Sequence, residues 1–135
     1  LIGDGPERAS IEEECRNCDI CSDVIFLGKQ EAVEEILSVA DLFLIPSETE
    51  SFGLAALEAM ACEVPVISTN TGGLPEVNID GVTGFTSDIG DTVKMAADAL
   101  TILHDDNLAL FKARAKEHSL KYKLKNILPL YEALY

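Results

Sequence analysis

Short apolar runs alternate with helix-length segments along this chain, and this alternation constrains the fold more than any other feature. Residues 42–45 and 64–67 are apolar runs of strand length, and residues 24–27 form a third β-rich run. Strands that are apolar on both faces are typical of a parallel sheet covered by helices on both sides. We therefore predict an α/β fold with a doubly wound parallel sheet.

Helices are predicted between and after these strands. Val33, Ile36, Leu37 and Ala40 follow the spacing of an amphipathic helix. The other predicted helices lie at residues 6–18, 52–62, 92–103, 107–119 and 124–134. The chain opens on Leu-Ile-Gly, which resembles the end of a strand. We therefore expect residues 1–135 to form a single domain that is a fragment of a longer protein, with a sheet incomplete at its N-terminal end.

The composition is strongly acidic. The chain has 24 Asp and Glu residues against 10 Lys and Arg, which gives a formal net charge of −14. Because a surface of this sign repels phosphate backbones, we expect no nucleic-acid binding. No apolar run reaches the roughly 18 residues that would cross a bilayer, so we expect no transmembrane segment.

Three of the four cysteines form a C-x2-C-x2-C run. This run, Cys15, Cys18 and Cys21, has the spacing found at the start of iron–sulfur ligand sets. The fourth ligand is missing, because Cys62 lies far along the chain in an apolar predicted helix. We therefore expect free thiols and no metal site. Free thiols favour a reducing compartment, which predicts a cytoplasmic protein.

Ligands of parallel α/β sheets bind at the carboxyl ends of the strands, where the amino termini of helices present unpaired N–H groups. In this sequence the corresponding loops are residues 3–6, 28–30, 46–51 and 68–74. A nucleotide or another phosphate ligand is the expectation for such a fold. We include Gly5, in the first loop, among the residues expected to bind it.

Glu58 is the one charged residue in the apolar segment 52–62. A helix that is apolar on every face is a buried helix, and a carboxylate inside it needs hydrogen-bond donors. Since no Lys or Arg lies three or four residues away, we predict that ligand hydroxyls supply those donors. The alternative is that Glu58 lies on an exposed face of a helix whose other faces are apolar.

A second carboxylate, Glu50, precedes the same predicted helix, which Ser51 is placed to cap. Eight helical residues span about 12 Å, which matches the length of a nucleoside diphosphate. We therefore expect one carboxylate near each end of such a ligand. The amides of Phe52, Gly53 and Leu54 would face its phosphates, and glycine allows a close approach of the backbone.

The segment ESFGLAALE, residues 50–58, resembles the E-x7-E motif of retaining glycosyltransferases of family 4 (group 1), which have the two-domain GT-B fold. Further motifs of that family follow in the usual order: LIGDGP at 1–6, IFLG at 25–28, ADLFLIPS at 40–47, EAMAC at 58–62, PVI at 65–67, GGLPE at 72–76 and GVTGF at 81–85. The resemblance covers nearly the whole chain and implies the Rossmann-like C-terminal domain, which binds the donor. FLGKQ, ESFGL and DIGD are in addition similar to the N-acetylglucosaminyl L-malate synthases within the family.

The resemblance implies a role for each part of the site. Glu50 would be the catalytic residue, at the transferred sugar, and Glu58 would bind the ribose hydroxyls of the donor. The remaining donor-binding positions that it implies are Ser51, Phe52, Gly53 and Leu54, which hold the diphosphate and the sugar, and Leu27, Gly28 and Lys29, which meet the base through the backbone.

The implied reaction transfers a sugar from a UDP-sugar, with UDP-N-acetylglucosamine and L-malate as the specific pair, and retains the anomeric configuration. It requires no metal ion, and we expect no cofactor. The basic residues that clamp the diphosphate in this family lie upstream of Gly3, and a missing N-terminal domain would bind the small-molecule acceptor. The isolated fragment is therefore expected to be inactive. The alternative is a non-catalytic module that binds a nucleotide or nucleotide-sugar.

The last predicted helix carries apolar side chains at helical spacing. In GT-B proteins the terminal helix returns toward the other domain, so without that domain this apolar face would be exposed. Exposed apolar patches promote association. We therefore expect self-association through the C-terminal helix, at Leu130, Tyr131, Leu134 and Tyr135.

Overall fold

The computed structural model describes residues 1–123 of the chain. The helix predicted at residues 124–134, with the four apolar residues expected to mediate self-association, lies outside the described residues. The chain divides into two units, Leu1–Val33 and Glu34–Tyr135, each with its own internal packing.

In the first unit, extended segments before and after helix α1 (Arg8–Asn17) run parallel. The amide of Gly3 donates a hydrogen bond to the carbonyl of Gly28 at 2.7 Å. The prediction of a strand at residues 24–27 is wrong. The described residues of this unit form one parallel bridge, between Ile2 and Gly28, and no regular ladder. The chain turns at Gly28, whose φ of +66° lies outside the extended region, so the pairing does not continue beyond the bridge.

Within residues 34–123, the second unit is built on a sheet of three parallel strands in the order β1-β2-β3. Phe43 pairs with Val66, which pairs in turn with Gly84. In chain order the elements are α2 (Val33–Leu37), β1 (Phe43–Ile45), α3 (Leu54–Ala61), β2 (Val66–Thr69), α4 (Leu74–Val77), β3 (Gly84–Ser87), α5 (Thr92–Leu103), α6 (Asp105–Ser119) and the 3₁₀ turn Leu120–Tyr122. The predicted α/β class with a parallel sheet is confirmed.

Two strands depart from the sequence prediction. β2 begins at Val66 rather than at residue 64, because Pro65 has no amide to donate to a ladder and the Val64 amide bonds to the end of α3. β3 is absent from the prediction, because Thr86 and Ser87 interrupt the apolar run that marks the other strands. β2 also ends in polar residues, Ser68 and Thr69, but its first half belongs to an apolar run, whereas β3 contains a single apolar side chain, Phe85.

Several helices also differ from prediction at their ends, and two of these differences bear on the site and its surroundings. α2 ends at Leu37 rather than near Ala40. α3 begins at Leu54 rather than at residue 52, because Gly53 adopts a φ of +88°, outside the helical region. The helical part of the segment between the two candidate carboxylates is therefore shorter than the sequence suggests, and the estimate of eight helical residues spanning 12 Å is wrong.

β2 lies at the centre of the core, and all four of its residues are buried. Ile67 packs in a cluster with Met95, Ile102 and Phe111, which come from α5 and α6. α5 has the predicted bounds, and its first turn is capped by Asp91, whose carboxylate accepts a backbone hydrogen bond at 3.0 Å. This packing holds the strands from which the candidate site extends.

Asn78 is a fully buried polar residue between β2 and β3. Its amide nitrogen lies 3.1 Å from the Val66 carbonyl and 3.0 Å from the Phe85 carbonyl, and its Oδ1 accepts a hydrogen bond from the Thr83 hydroxyl at 2.9 Å. The sequence places Asn78 at the start of a turn, which gives no sign of this role. The network joins two neighbouring strands of the sheet.

Candidate functional site

The loop after β1 is organised around the carboxylate of Glu50. Its Oε1 accepts hydrogen bonds from the amide of Ser51 at 3.0 Å and from the amide of Gly53 at 3.3 Å. The prediction that Ser51 caps α3 is wrong, because the N-cap residue is Gly53 and no side chain caps the helix. Among the residues described, Glu50 Oε2 has no hydrogen-bond partner. One carboxylate oxygen is therefore held by the backbone while the other remains available.

The loop after β2 lies directly against this loop. A Cβ atom on Gly72 would come within 1.6 Å of the Glu50 carbonyl oxygen, and one on Gly73 within 2.8 Å of the Phe52 Cα. Gly72 also has a φ of +56°, a conformation that favours glycine. The two glycines therefore let one backbone pack on the other at the carboxyl ends of β1 and β2.

Two threonine hydroxyls also join these loops. Thr69 donates to the carbonyl of Ser47 at 2.5 Å, and Thr71 donates to the carbonyl of Glu48 at 3.2 Å. Thr69 is buried, whereas the bond from Thr71 is exposed. Sequence reasoning places residues 68–74 among the ligand-facing loops but does not predict that they support the loop after β1.

The amino terminus of α3 presents unpaired amides next to this loop. The amides of Leu54, Ala55 and Ala56 belong to the first turn, where no intrahelical acceptor exists. The Phe52 amide has no hydrogen-bond partner within residues 1–123. Such amides, together with the positive end of the helix dipole, favour an anion. The structure therefore brings Glu50, the predicted amides and a helix amino terminus into one loop.

Glu58 is exposed on the outer face of α3, so the prediction that it is buried is wrong. The helix residues that face the core are Ala56, Ala59 and Met60. Leu54 is apolar and yet 64% exposed, so the apolar composition of the segment does not bury every face. No described residue donates a hydrogen bond to the Glu58 carboxylate. The alternative, that Glu58 lies on an exposed face of a helix whose other faces are apolar, is the one that the structure supports.

The other predicted donor-binding residues belong to the first unit. Asp4, Gly5 and Lys29 line an open groove of about 310 Å³. Leu27 donates its amide to the Leu1 carbonyl at 2.9 Å and accepts the Gln30 side chain at 2.6 Å through its own carbonyl. The amide and the carbonyl of Leu27 are therefore both already hydrogen-bonded. Among the described residues, the amide of Gly28 and the backbone of Lys29 make no hydrogen bond and remain available.

The cysteines do not form a metal site in the part of the chain that the structure describes. All four are free thiols, as predicted, and no group of three or more His, Cys, Asp or Glu side chains there is arranged to hold a metal ion. Partial desolvation and the neighbouring Glu14 carboxylate raise the pKa of the Cys18 thiol, which is exposed. This favours the thiol over the thiolate that binds metals.

The 3₁₀ turn after α6 contacts both the loop after β1 and α4. The Tyr122 hydroxyl donates to the Glu76 carbonyl at 2.9 Å, and the Tyr122 ring meets the Phe52 ring edge to face, with centroids 6.3 Å apart. The His118 ring lies 5.5 Å from that of Tyr122. Burial and the nearby Lys121 lower the pKa of His118, against an opposing hydrogen bond to the Val77 backbone. Sequence reasoning does not single out Tyr122.

Comparison with known proteins decides the family. Residues 1–125 match the family described as Glycosyl transferases group 1. The chain belongs to this family. The match confirms the resemblance drawn from the motif at residues 50–58 and from the motifs around it. In the described residues of this glycosyltransferase chain, no helix is long and apolar enough to cross a membrane.

Two curated relatives are enzymes that handle N-acetylglucosamine by name. The chain is 43% identical over 137 residues to the N-acetyl-alpha-D-glucosaminyl L-malate synthase of Bacillus anthracis, covering 100% of this chain and 36% of that protein. It is 37% identical over 111 residues to the 2-deoxystreptamine N-acetyl-D-glucosaminyltransferase of Niallia circulans, covering 81% of this chain and 28% of that protein. The chain thus spans about a third of the length of these relatives.

The fold also matches solved glycosyltransferase structures. The crystal structure of Anabaena HepE in complex with UDP and glucose superimposes with a TM-score of 0.87 at 25% identity, covering 99% of this chain and 39% of that chain. The sucrose-phosphate synthase of Thermosynechococcus elongatus superimposes with a TM-score of 0.86 at 29% identity, covering 100% of this chain and 37% of that chain. These matches confirm the predicted Rossmann-like GT-B fold class.

Proposed function

We propose that the protein carrying this chain transfers N-acetylglucosamine from UDP-N-acetylglucosamine to L-malate, with retention of the anomeric configuration and without a metal ion. The 43% identity over the whole chain to the Bacillus anthracis synthase supports the donor sugar and the acceptor. The structure of HepE with UDP and glucose supports UDP as the nucleotide. In this proposal residues 1–135 act as one donor-binding domain, and no cofactor takes part.

The loop after β1 is the observation that carries the proposal. Departure of UDP places growing negative charge on the diphosphate, which pre-organised N–H donors stabilise. The unpaired amides of Phe52 and Leu54 supply such donors at the amino terminus of α3. The Gly53 amide is already bonded to Glu50, so we assign Gly53 the backbone turn rather than a phosphate contact. Ser51 has the same role, since its amide also bonds to Glu50.

The two carboxylates take different parts of the donor. Glu50 has one oxygen held by the loop, so its free oxygen faces the transferred sugar in a fixed position. Glu58 is exposed and accepts hydrogen bonds from the ribose hydroxyls. The available backbone of Gly28 and Lys29, with Gly5 in the same groove, meets the uracil base. Leu27 supports that loop from behind, because its own backbone is occupied.

The remaining parts of the reaction require residues outside this chain. The charged groups that the second unit contributes to the site are carboxylates. In this proposal the positive charge that clamps the diphosphate therefore comes from an upstream segment. An N-terminal domain binds the acceptor. We propose a cytoplasmic location, which the four free thiols favour. We also propose self-association through the helix predicted at residues 124–134 when that other domain is absent.

The test uses the protein that carries this chain at its natural length. UDP release from UDP-N-acetylglucosamine is measured with L-malate, with and without EDTA, and NMR gives the anomeric configuration of the product. We expect L-malate-dependent release that EDTA leaves unchanged and an α-linked product. Glu50→Gln should lower kcat by about 100-fold or more, the effect of losing one transition-state contact. Glu48→Gln, an exposed neighbour, is the matched control.

Two results would contradict this function. Binding of UDP-N-acetylglucosamine without transfer to any acceptor would favour the alternative, a non-catalytic nucleotide-sugar binding module. Equal activity of the Glu50→Gln and Glu48→Gln variants would remove Glu50 from the catalytic role.

A further inference from the structure

Tyr122 lies at the end of the described chain, outside every motif that the sequence analysis singles out, yet it contacts both the loop after β1 and the helix α4, which follows the loop after β2. Its ring meets Phe52, in the loop after β1, and its hydroxyl bonds to the carbonyl of Glu76, in α4. The loop after β1 and α4, which follows β2, come after neighbouring parallel strands and therefore lie at the same edge of the sheet. One side chain from the 3₁₀ turn after α6 thus joins the loop after β1 to α4.

The Phe52 ring has little other support on its outer side, since it is 41% exposed. Its backbone, by contrast, is confined, because the Phe52 Cα lies where a Cβ on Gly73 would come within 2.8 Å. Pulling the ring outward would therefore rotate the peptide units beside it, including the amides proposed to meet the diphosphate. An edge-to-face contact with a second aromatic ring opposes that motion.

We propose that Tyr122 is a positioning residue for donor binding, holding the Phe52 ring so that the adjacent amides face the diphosphate. This inference rests on the proposed function. The contact of the Tyr122 ring with the Phe52 ring does the positioning, and the hydrogen bond from the Tyr122 hydroxyl to the Glu76 carbonyl holds the Tyr122 ring in place. Tyr122 does not itself contact the donor. It therefore affects both the binding of UDP and UDP-sugar and the rate of UDP departure, because the same amides serve both.

The test compares Tyr122→Leu, which removes the ring, with Tyr122→Phe, which keeps it, in the protein at its natural length. Lys123→Ala, an exposed neighbour, is the matched control. Calorimetry measures the Kd for UDP and for UDP-N-acetylglucosamine, and steady-state kinetics measures KM and kcat. Tyr122→Leu should raise Kd and the donor KM about three- to tenfold, the range for one aromatic pair, and lower kcat by up to about the same factor, because the same amides stabilise the departing diphosphate. Tyr122→Phe should restore most of the affinity.

Hydrogen exchange separates this inference from the proposed function. The amides of Ser51 and Gly53, which are bonded to the Glu50 carboxylate, should exchange faster in Tyr122→Leu than in wild type, and those of the Lys123→Ala variant should not. If wild type binds neither UDP nor UDP-N-acetylglucosamine, the proposed function fails. The exchange data still test whether the contact of Tyr122 with Phe52 holds the loop after β1. If Tyr122→Leu does not fold, Phe52→Leu removes the other ring of the same pair. Wild-type affinity and wild-type exchange in a folded ring-deleted variant would overturn the proposal.

Discussion

The two candidate carboxylates have contrasting environments: Glu50 lies in the loop after β1, and Glu58 lies on the outer face of α3. Glu50 is held by two backbone amides of its own loop, and that loop is packed against Gly72 and Gly73. Glu58, one helical turn into α3, is exposed and has no hydrogen-bond partner within residues 1–123. The same short segment thus contains one carboxylate fixed by the fold and one that the fold leaves free.

This difference separates two tasks of a donor site. A group that acts on the reacting sugar gains from being fixed before the substrate arrives, because its position then needs no reorganisation during the reaction. A group that accepts hydrogen bonds from ribose hydroxyls gains from being available to the ligand. Mutations in the first region should therefore change stability, and mutations in the second should change affinity alone.

The largest effect is expected at Gly72, where Ala would meet the Glu50 carbonyl oxygen. Gly72→Ala should lower the free energy of unfolding by more than about 3 kcal/mol, because backbone must move on both sides of the contact. Gly81 is the matched control, since it also has a positive φ, +71°, but a Cβ there meets nothing within 4 Å. Gly81→Ala should lower stability by only about 1 kcal/mol. Urea unfolding measures both, and equal losses would contradict the close packing of the two loops.

A smaller effect is expected from the hydroxyls that join the loops. Thr69→Val should lower the free energy of unfolding by about 1–2 kcal/mol, because it leaves the Ser47 carbonyl without its buried donor. Thr71→Val removes an exposed and longer bond, where water can replace the hydroxyl, and should lower stability by less than about 0.5 kcal/mol. Both are measured by urea unfolding. A larger loss of stability in Thr71→Val than in Thr69→Val would show that burial does not determine how much each hydrogen bond contributes.

Sequence reasoning predicts β1, β2 and the helices α2, α3, α5 and α6 of the second unit, because each of these two strands lies in a short apolar run between helical patterns, but it misses α4 and β3. It also locates the loop after β1 and the amides that begin α3. These features depend on residues close together in the chain, such as Glu50 and Gly53. Local spacing and local chemistry are sufficient to predict them.

The environment of Glu58 is not predictable in the same way. Ala and Leu occupy both faces of α3, so the sequence does not show which face meets the core. The approach of Gly72 to Glu50 and the contact of Tyr122 with Phe52 join segments separated by 22 and 70 positions. Such contacts arise only when the strands and α6 have been assembled. Tertiary packing, rather than local pattern, therefore decides them.

The most direct test of the account is the affinity of a Glu58→Ala variant for UDP. In the protein at its natural length, loss of hydrogen bonds to a charged group should weaken UDP binding by about 1.5–3 kcal/mol. The free energy of unfolding should stay within about 0.5 kcal/mol of wild type, because the side chain is exposed. Glu117→Ala, another exposed carboxylate, controls for the change in net charge. Unchanged affinity for UDP in Glu58→Ala would contradict the assignment of Glu58 to the donor site.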